Sequence, residues 1–367
     1  MKYPIFLSVF LSILLIFACK ESSLDSLDLP DEVVFTHLPT DISQMLEFGP
    51  IGQIRVIPKM HGGFRLKQPF TFPANIPVYA MGDGYIINIR KESRTVPGHG
   101  PSHLVGMEYD DFALDMVYTK DAGGYYGHVS ALHEKILEQA GEIRHGRGAR
   151  NEVKIKISAG QILGYIGPHE GFDIGMYDYS RENYFANPSM YGRDYRSSVC
   201  YTDYLPEALK QEIWAINPRT AEPRCGSIAY DKDGTLAGNW FLEGTRDITE
   251  WSKQLIFARH EIYGDRIAIV DASPLFDGDG ILNDGIDPYL WFVKGNNPEP
   301  ESITIESGMV TYEVARVWVL IHDEHAEPDG TVLIQMLEPE KIQYEYFEGK
   351  RAGEVSGFSS NSRIYVR

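Results

Sequence analysis

The side chains in this sequence best suited to chemistry are His61, His128 and Asp173. Each sits in a glycine-rich stretch: His61-Gly62-Gly63, Tyr126-Gly127-His128 and Gly171-Phe172-Asp173. Two imidazoles and a carboxylate are ordinary ligands of a catalytic zinc, which needs about three protein donors and one open position for water or substrate. His128 has the further option of acting as the acid or base beside such a site, because an unperturbed imidazole titrates near neutral pH. His169, four residues before Asp173, offers itself as a displaced third ligand. A plainer reading stands beside this one. Histidines at strand ends donate to carbonyls, and aspartates such as Asp173 and Asp178 close turns.

Three other clusters carry a weaker signal. Asp231-Lys232-Asp233-Gly234-Thr235 resembles the first motif of the haloacid-dehalogenase-type phosphatases, in which the first aspartate attacks phosphate. That family continues into a helix, whereas Ala237-Gly238-Asn239-Trp240-Phe241 reads as glycine and strand, so a hairpin turn is expected here. Asp277-Gly278-Asp279-Gly280 clusters oxygens as calcium prefers, but without the spacing or closing glutamate of an EF-hand, and reads as a solvated loop. His322-Asp323-Glu324-His325 reads as a polar turn.

The elements that must position these residues are short strands. Runs at Pro77–Ala80, Gly84–Arg90, Leu104–Tyr109, Leu114–Tyr118, Val153–Ile157, Gln161–Ile166 and Phe172–Tyr177 are punctuated by Gly, Asp and Asn, with helical patterns only at Leu132–Ala140 and Pro206–Trp214. Strand-like runs return after Ser227. The expected class is therefore mainly β, an N-terminal antiparallel sheet or sandwich followed by a second β-rich domain.

Four segments in order sharpen this: His61-Gly62-Gly63; Pro77-Val78-Tyr79-Ala80-Met81-Gly82-Asp83-Gly84; Tyr126-Gly127-His128; and Ser158-Ala159-Gly160-Gln161-Ile162-Leu163-Gly164. Together they resemble the lysostaphin/LytM-type zinc metallopeptidases, which cut peptide cross-links in peptidoglycan. The resemblance covers roughly residues 50–178. It implies that His61 is the first zinc ligand and that His128 is the assisting acid or base. It also marks departures. The family has an aspartate four residues after its first histidine, where Arg65 stands here, and a cation there would sit against the metal at a cost of several kcal/mol. The family closes with His-x-His, where this chain has Phe172-Asp173-Ile174-Gly175-Met176. The expectation is a catalytically silent LytM-like domain that keeps the fold and carries no cofactor. The alternative is a metal-dependent peptidoglycan endopeptidase with a zinc site rebuilt from His61, His128 and Asp173.

The first residues place the chain. Lys2 precedes an apolar run from Ile5 to Ala18, too short to span a bilayer core and the right length for a signal peptide. Leu15-Ile16-Phe17-Ala18-Cys19 resembles the bacterial lipobox, which implies lipid on Cys19 and anchorage in the cell envelope, on the periplasmic side or in the outer membrane. The remaining cysteines, Cys200 and Cys225, then form one pair, expected as a disulfide worth roughly 3 kcal/mol in an oxidising compartment. A net charge of −18 repels nucleic acid and anionic lipid head groups, leaving the lipid as the only membrane contact. The chain divides into a signal peptide (1–18), lipidated cysteine and tether (19–32), LytM-like β domain (33–178), loop-rich connector (179–226) and C-terminal β domain (227–367). The layout also resembles bacterial lipoproteins in which such a domain precedes a Cys-x-x-Asp-Tyr segment, here Cys200 to Tyr204, and a Gly-Asn-Trp strand, here Gly238 to Trp240. The expected partner is peptidoglycan or an envelope protein.

Overall fold

The computed structural model describes residue 24 and residues 26–367, apart from 54–57, 147, 273–288, 296 and 317–326. Cys19, the Asp277 loop and the His322 cluster lie outside the described residues.

The chain is mainly β. Its first part contains β1 (Met45–Gly49), β2 (His61–Leu66), β3 (Ile76–Tyr79), β4 (Gly84–Thr95), β5 (Glu108–Val117), β6 (Ala122–Val129), β7 (Ala131–Leu132), helix α1 (Glu134–Ala140), β8 (Asn151–Ile157), β9 (Ile162–Ile166) and β10 (Gly171–Asp178). The large sheet runs β1-β2-β10-β6-β5-β4-β8, all antiparallel, and a small sheet β3-β9-β7 packs beside it. Alternation along the strands sets two faces. Phe64 and Leu66 of β2, Leu114 and Met116 of β5, Tyr126 of β6, and Phe172, Ile174 and Met176 of β10 are buried on one face, with Val78, Leu163 and Ile166 of the small sheet in the same core. The opposite face carries His61, Arg65, Tyr125, Asp173 and Tyr177.

Two strands differ from the sequence expectation for one reason. Leu104–Tyr109 and Leu114–Tyr118 are not separate strands; Pro101 to Gly106 form turns, and β5 runs unbroken through Asp110 and Asp111. Those aspartates resemble turn punctuation, but cross-strand cations hold them in the ladder: Lys91 lies 2.9 Å from Asp110, and Arg94 pairs with Asp111. β6, Ala-Gly-Gly-Tyr-Tyr-Gly-His-Val, also escapes strand recognition because its glycines look like breakers.

The connector contains α2 (Arg193–Arg196), β11 (Ser198–Val199) and α3 (Glu207–Trp214). β11 adds to β10, and Cys200 is joined to Cys225 with Cα atoms 6.2 Å apart. Buried Arg219 ties the connector to the C-terminal part by donating to the carbonyls of Glu261 (2.8 Å) and His260 (3.2 Å), while its Nε donates within the connector to the Pro223 carbonyl (2.7 Å).

The C-terminal part is a closed antiparallel barrel. Its eight strands are β12 (Gly238–Leu242), β13 (Gln254–Arg259), β14 (Ile267–Asp271), β15 (Tyr289–Val293), β16 (Met309–Arg316), β17 (Gly330–Glu338), β18 (Lys341–Glu348) and β19 (Arg363–Val366), each paired with the next and β19 with β12. Eight strands leave an interior that side chains can fill. Trp240, Phe257, Tyr312, Tyr344 and Tyr365 fill this one with aliphatic neighbours. Trp240 is fully buried; its indole N–H donates to the Leu236 carbonyl at 2.9 Å, and the Arg367 guanidinium lies 4.2 Å from its ring centre.

Candidate functional site

His61 and Asp173 come from adjacent strands. Asp173 on β10 pairs with Gly63 of β2 on one side and Gly127 of β6 on the other, so two glycines flank the carboxylate and leave it room. A Cβ at Gly63 would stand 2.9 Å from the Asp173 Oδ1 atom, and one at Gly175 would enter the Tyr125 ring at 2.3 Å. The glycines that disguise these strands are thus what lets Asp173 and Tyr125 lie on the sheet face.

His128 reaches the site through an irregularity. Alternation from Tyr126 would point it into the core. Between Phe112 and Leu114 the β5–β6 register slips, and His128 adopts φ +62°. This left-handed backbone, unfavourable for a residue with a Cβ, swings the imidazole onto the open face. Its Nδ1 lies 3.1 Å from Asp111 Oδ2, and its Nε2 lies 3.2 Å from Asp173 Oδ2. His61 Nδ1 sits 3.6 Å from the same Asp173 oxygen. His169 stacks flat on His128, ring centres 3.8 Å apart and planes within 5°.

The charges follow from this geometry. Burial disfavours an imidazolium at His128, but hydrogen bonds to Asp111 and Asp173 and their charges outweigh it and push its pKa up to about 9. Burial likewise works against ionisation of Asp173, yet His61 and His128 beside it hold its carboxyl far below the usual range. Asp111 is also held low, its burial outweighed by His128 and Arg94. His169 has no carboxylate bonded to it; burial and the neighbouring His128 charge press it down to about 4. His61 is lowered chiefly by burial. At neutral pH the site is a chain of alternating charge, Arg94⁺, Asp111⁻, His128⁺ and Asp173⁻, with neutral His169 and His61 alongside.

The sequence-derived residues His61, His128 and Asp173 therefore converge. Asp111 and Arg94 are members of this charged cluster that sequence reasoning missed; the opposed charges of Arg94 and Asp111 on successive strands were the available signal. Arg65 is a correction. It was expected to sit against a metal at His61, but β2 is extended, and four residues along a strand span about 13 Å. Arg65 lies opposite Gly171 and pairs with Glu47 of β1 at 2.9 Å, half exposed. Among the described residues no group of three His, Cys, Asp or Glu side chains is arranged to hold a metal ion.

The phosphatase-like segment holds a turn at Asp233-Gly234 but not the expected hairpin, because Asp231 lies in irregular chain and β12 begins only at Gly238 with no strand paired across the turn. The Asp231 carboxylate accepts from the backbone N–H groups of Ala186 (2.8 Å) and Asn239 (2.7 Å), and Asp233 accepts from the Tyr184 hydroxyl. Both aspartates brace the entry to the barrel.

Comparison of the chain with protein-family models, with curated proteins and with solved structures found no match in any of the three.

Proposed function

We propose that residues 33–178 form a binding domain rather than a metallopeptidase, in a lipoprotein of the cell envelope anchored through Cys19, and that its open sheet face engages peptidoglycan or an envelope protein. The observation that carries this reading is the placement of His128, whose Nδ1 lies 3.1 Å from Asp111 Oδ2 and whose Nε2 lies 3.2 Å from Asp173 Oδ2, so that a carboxylate engages each ring nitrogen. Both ring nitrogens of an imidazolium are donors, so neither has a lone pair for a metal. To admit zinc at His128, the site would have to part the imidazole from Asp111 and Asp173 and break a charge-compensated chain. Position 65 lies further along the same face of β2, where Arg65 is paired with Glu47, and it offers no further ligand.

The test is elemental analysis of protein purified without chelator, followed by added zinc and incubation with intact sacculi. The reading predicts no stoichiometric zinc, no release of cross-link fragments, and co-sedimentation with sacculi or capture of an envelope protein. One zinc per chain together with cleavage that His61→Ala and Asp173→Ala abolish would overturn it.

A further inference from the structure

The two non-glycine residues with positive φ among those described are His128 at +62° and Phe70 at +59°, and His169 links them, stacking on His128 and lining the same cleft as Phe70. A bulky side chain in left-handed backbone is strained, and such strain persists where the surroundings impose it, often at ligand sites. Phe70 walls a cleft of about 430 Å³ that adjoins the histidine stack and is also lined by Arg94, Thr95, Glu108, Tyr109 and His169.

The cleft is furnished with donors. His169 Nδ1 lies 3.1 Å from the Gly171 N–H and 3.2 Å from the Gly171 carbonyl; in the tautomer that accepts from the N–H, the ring proton sits on Nε2. The Nε2 edge has no partner among the described residues and in that tautomer is free to donate. Arg94 uses its Nε to bind Asp111, which fixes the plane of the guanidinium and leaves its two terminal nitrogens without partners among the described residues. Tyr109 adds a phenol that stays protonated, its pKa pushed up to about 12 by burial and by Asp111 and Glu170. Of the acids at the cleft, Glu170 is bonded to His99 at 2.6 Å and Glu108 is exposed at the rim.

We infer that this cleft is a carboxylate-recognition subsite, in which the Arg94 guanidinium and the His169 Nε2–H receive the free carboxylate end of a peptide and Phe70 packs on its last side chain. A guanidinium held by one edge presents a planar fork that suits a carboxylate. The inference rests on the open face being a binding surface, and it is independent of whether a metal is held.

The probes are N-acetyl-alanyl-alanine and its C-terminal amide, titrated calorimetrically into the full chain in detergent. The acid should bind at least ~10-fold more tightly than the amide, and Arg94→Gln and His169→Phe should each remove about that factor while the amide's binding is unmoved. Circular dichroism checks that each variant is folded; if Arg94→Gln is not, His169→Phe and Tyr109→Phe carry the test. Equal binding of acid and amide, absence of binding by either, or folded variants that bind as the parent does would overturn the subsite. Zinc uptake with acid selectivity intact would sink the proposed function and leave this inference standing.

Discussion

The sheet domain and the barrel are built from the same material, antiparallel strands with alternating side chains, and they use the second face of those strands in opposite ways. In the barrel the inward face closes on itself, and Trp240, Tyr312, Tyr344 and Tyr365 fill the space. In the first domain one face is buried, while the other stays open and carries glycines, charges and histidines. A closed meander turns its sequence into packing; an open sheet keeps a surface on which residues from four strands, β2, β10, β6 and β5, can meet.

The largest effect that would test this contrast lies in the barrel. Trp240→Ala removes a fully buried indole and its hydrogen bond, and is expected to cost about 3–5 kcal/mol in denaturant unfolding while leaving the His128 titration unchanged. A change in that titration would mean the two regions are not energetically separate.

Next in size is the pH dependence of the open face. His128 is raised above its ordinary 6.5 to about 9, so its contribution, roughly 3 kcal/mol at most, is complete below pH 6.5 and lost as pH rises through 9. His169 is depressed to about 4, so the unfolded chain takes its proton first and stability falls as pH drops from 6.5 toward 4. The melting temperature should peak near pH 6.5 and decline on both sides. A profile flat from 6.5 to 9 would break the account of His128.

Asp111→Asn should cost about 1–3 kcal/mol and bring the His128 pKa down from about 9, read by proton NMR, because one carboxylate of the chain becomes a neutral amide. Smallest is Arg65→Gln. It removes an exposed pair with Glu47, should change stability by no more than about 1 kcal/mol, and should not create a zinc site. Zinc uptake by that variant would show that Arg65 reaches the site after all.

Much of the fold was legible because local patterns agree with the final one. Pro77–Ala80 and Gln161–Ile166 read as strands and are β3 and β9, and Pro206–Trp214 reads as a helix and is α3 with Pro206 at its N-cap. β6 was not legible, because Gly123, Gly124 and Gly127 mean turns in isolation. Their purpose appears only when the neighbouring strand is in register. A Cβ at Gly124 would meet the Gly175 carbonyl at 2.3 Å, and one at Gly127 would press on Asp173 at 3.2 Å.

The sequence by itself determined the mainly β character and named His61, His128 and Asp173, since strand periodicity and residue chemistry are local properties. Only the tertiary structure decided what those residues do together. Asp111 lies 17 positions before His128, and Asp173 lies far beyond it; a register slip and one left-handed residue aim a single imidazole at both. That the ring is pushed toward its protonated form follows from the two carboxylates bonded to it, which outweigh the cost of its burial, an arrangement that no segment of the chain contains alone.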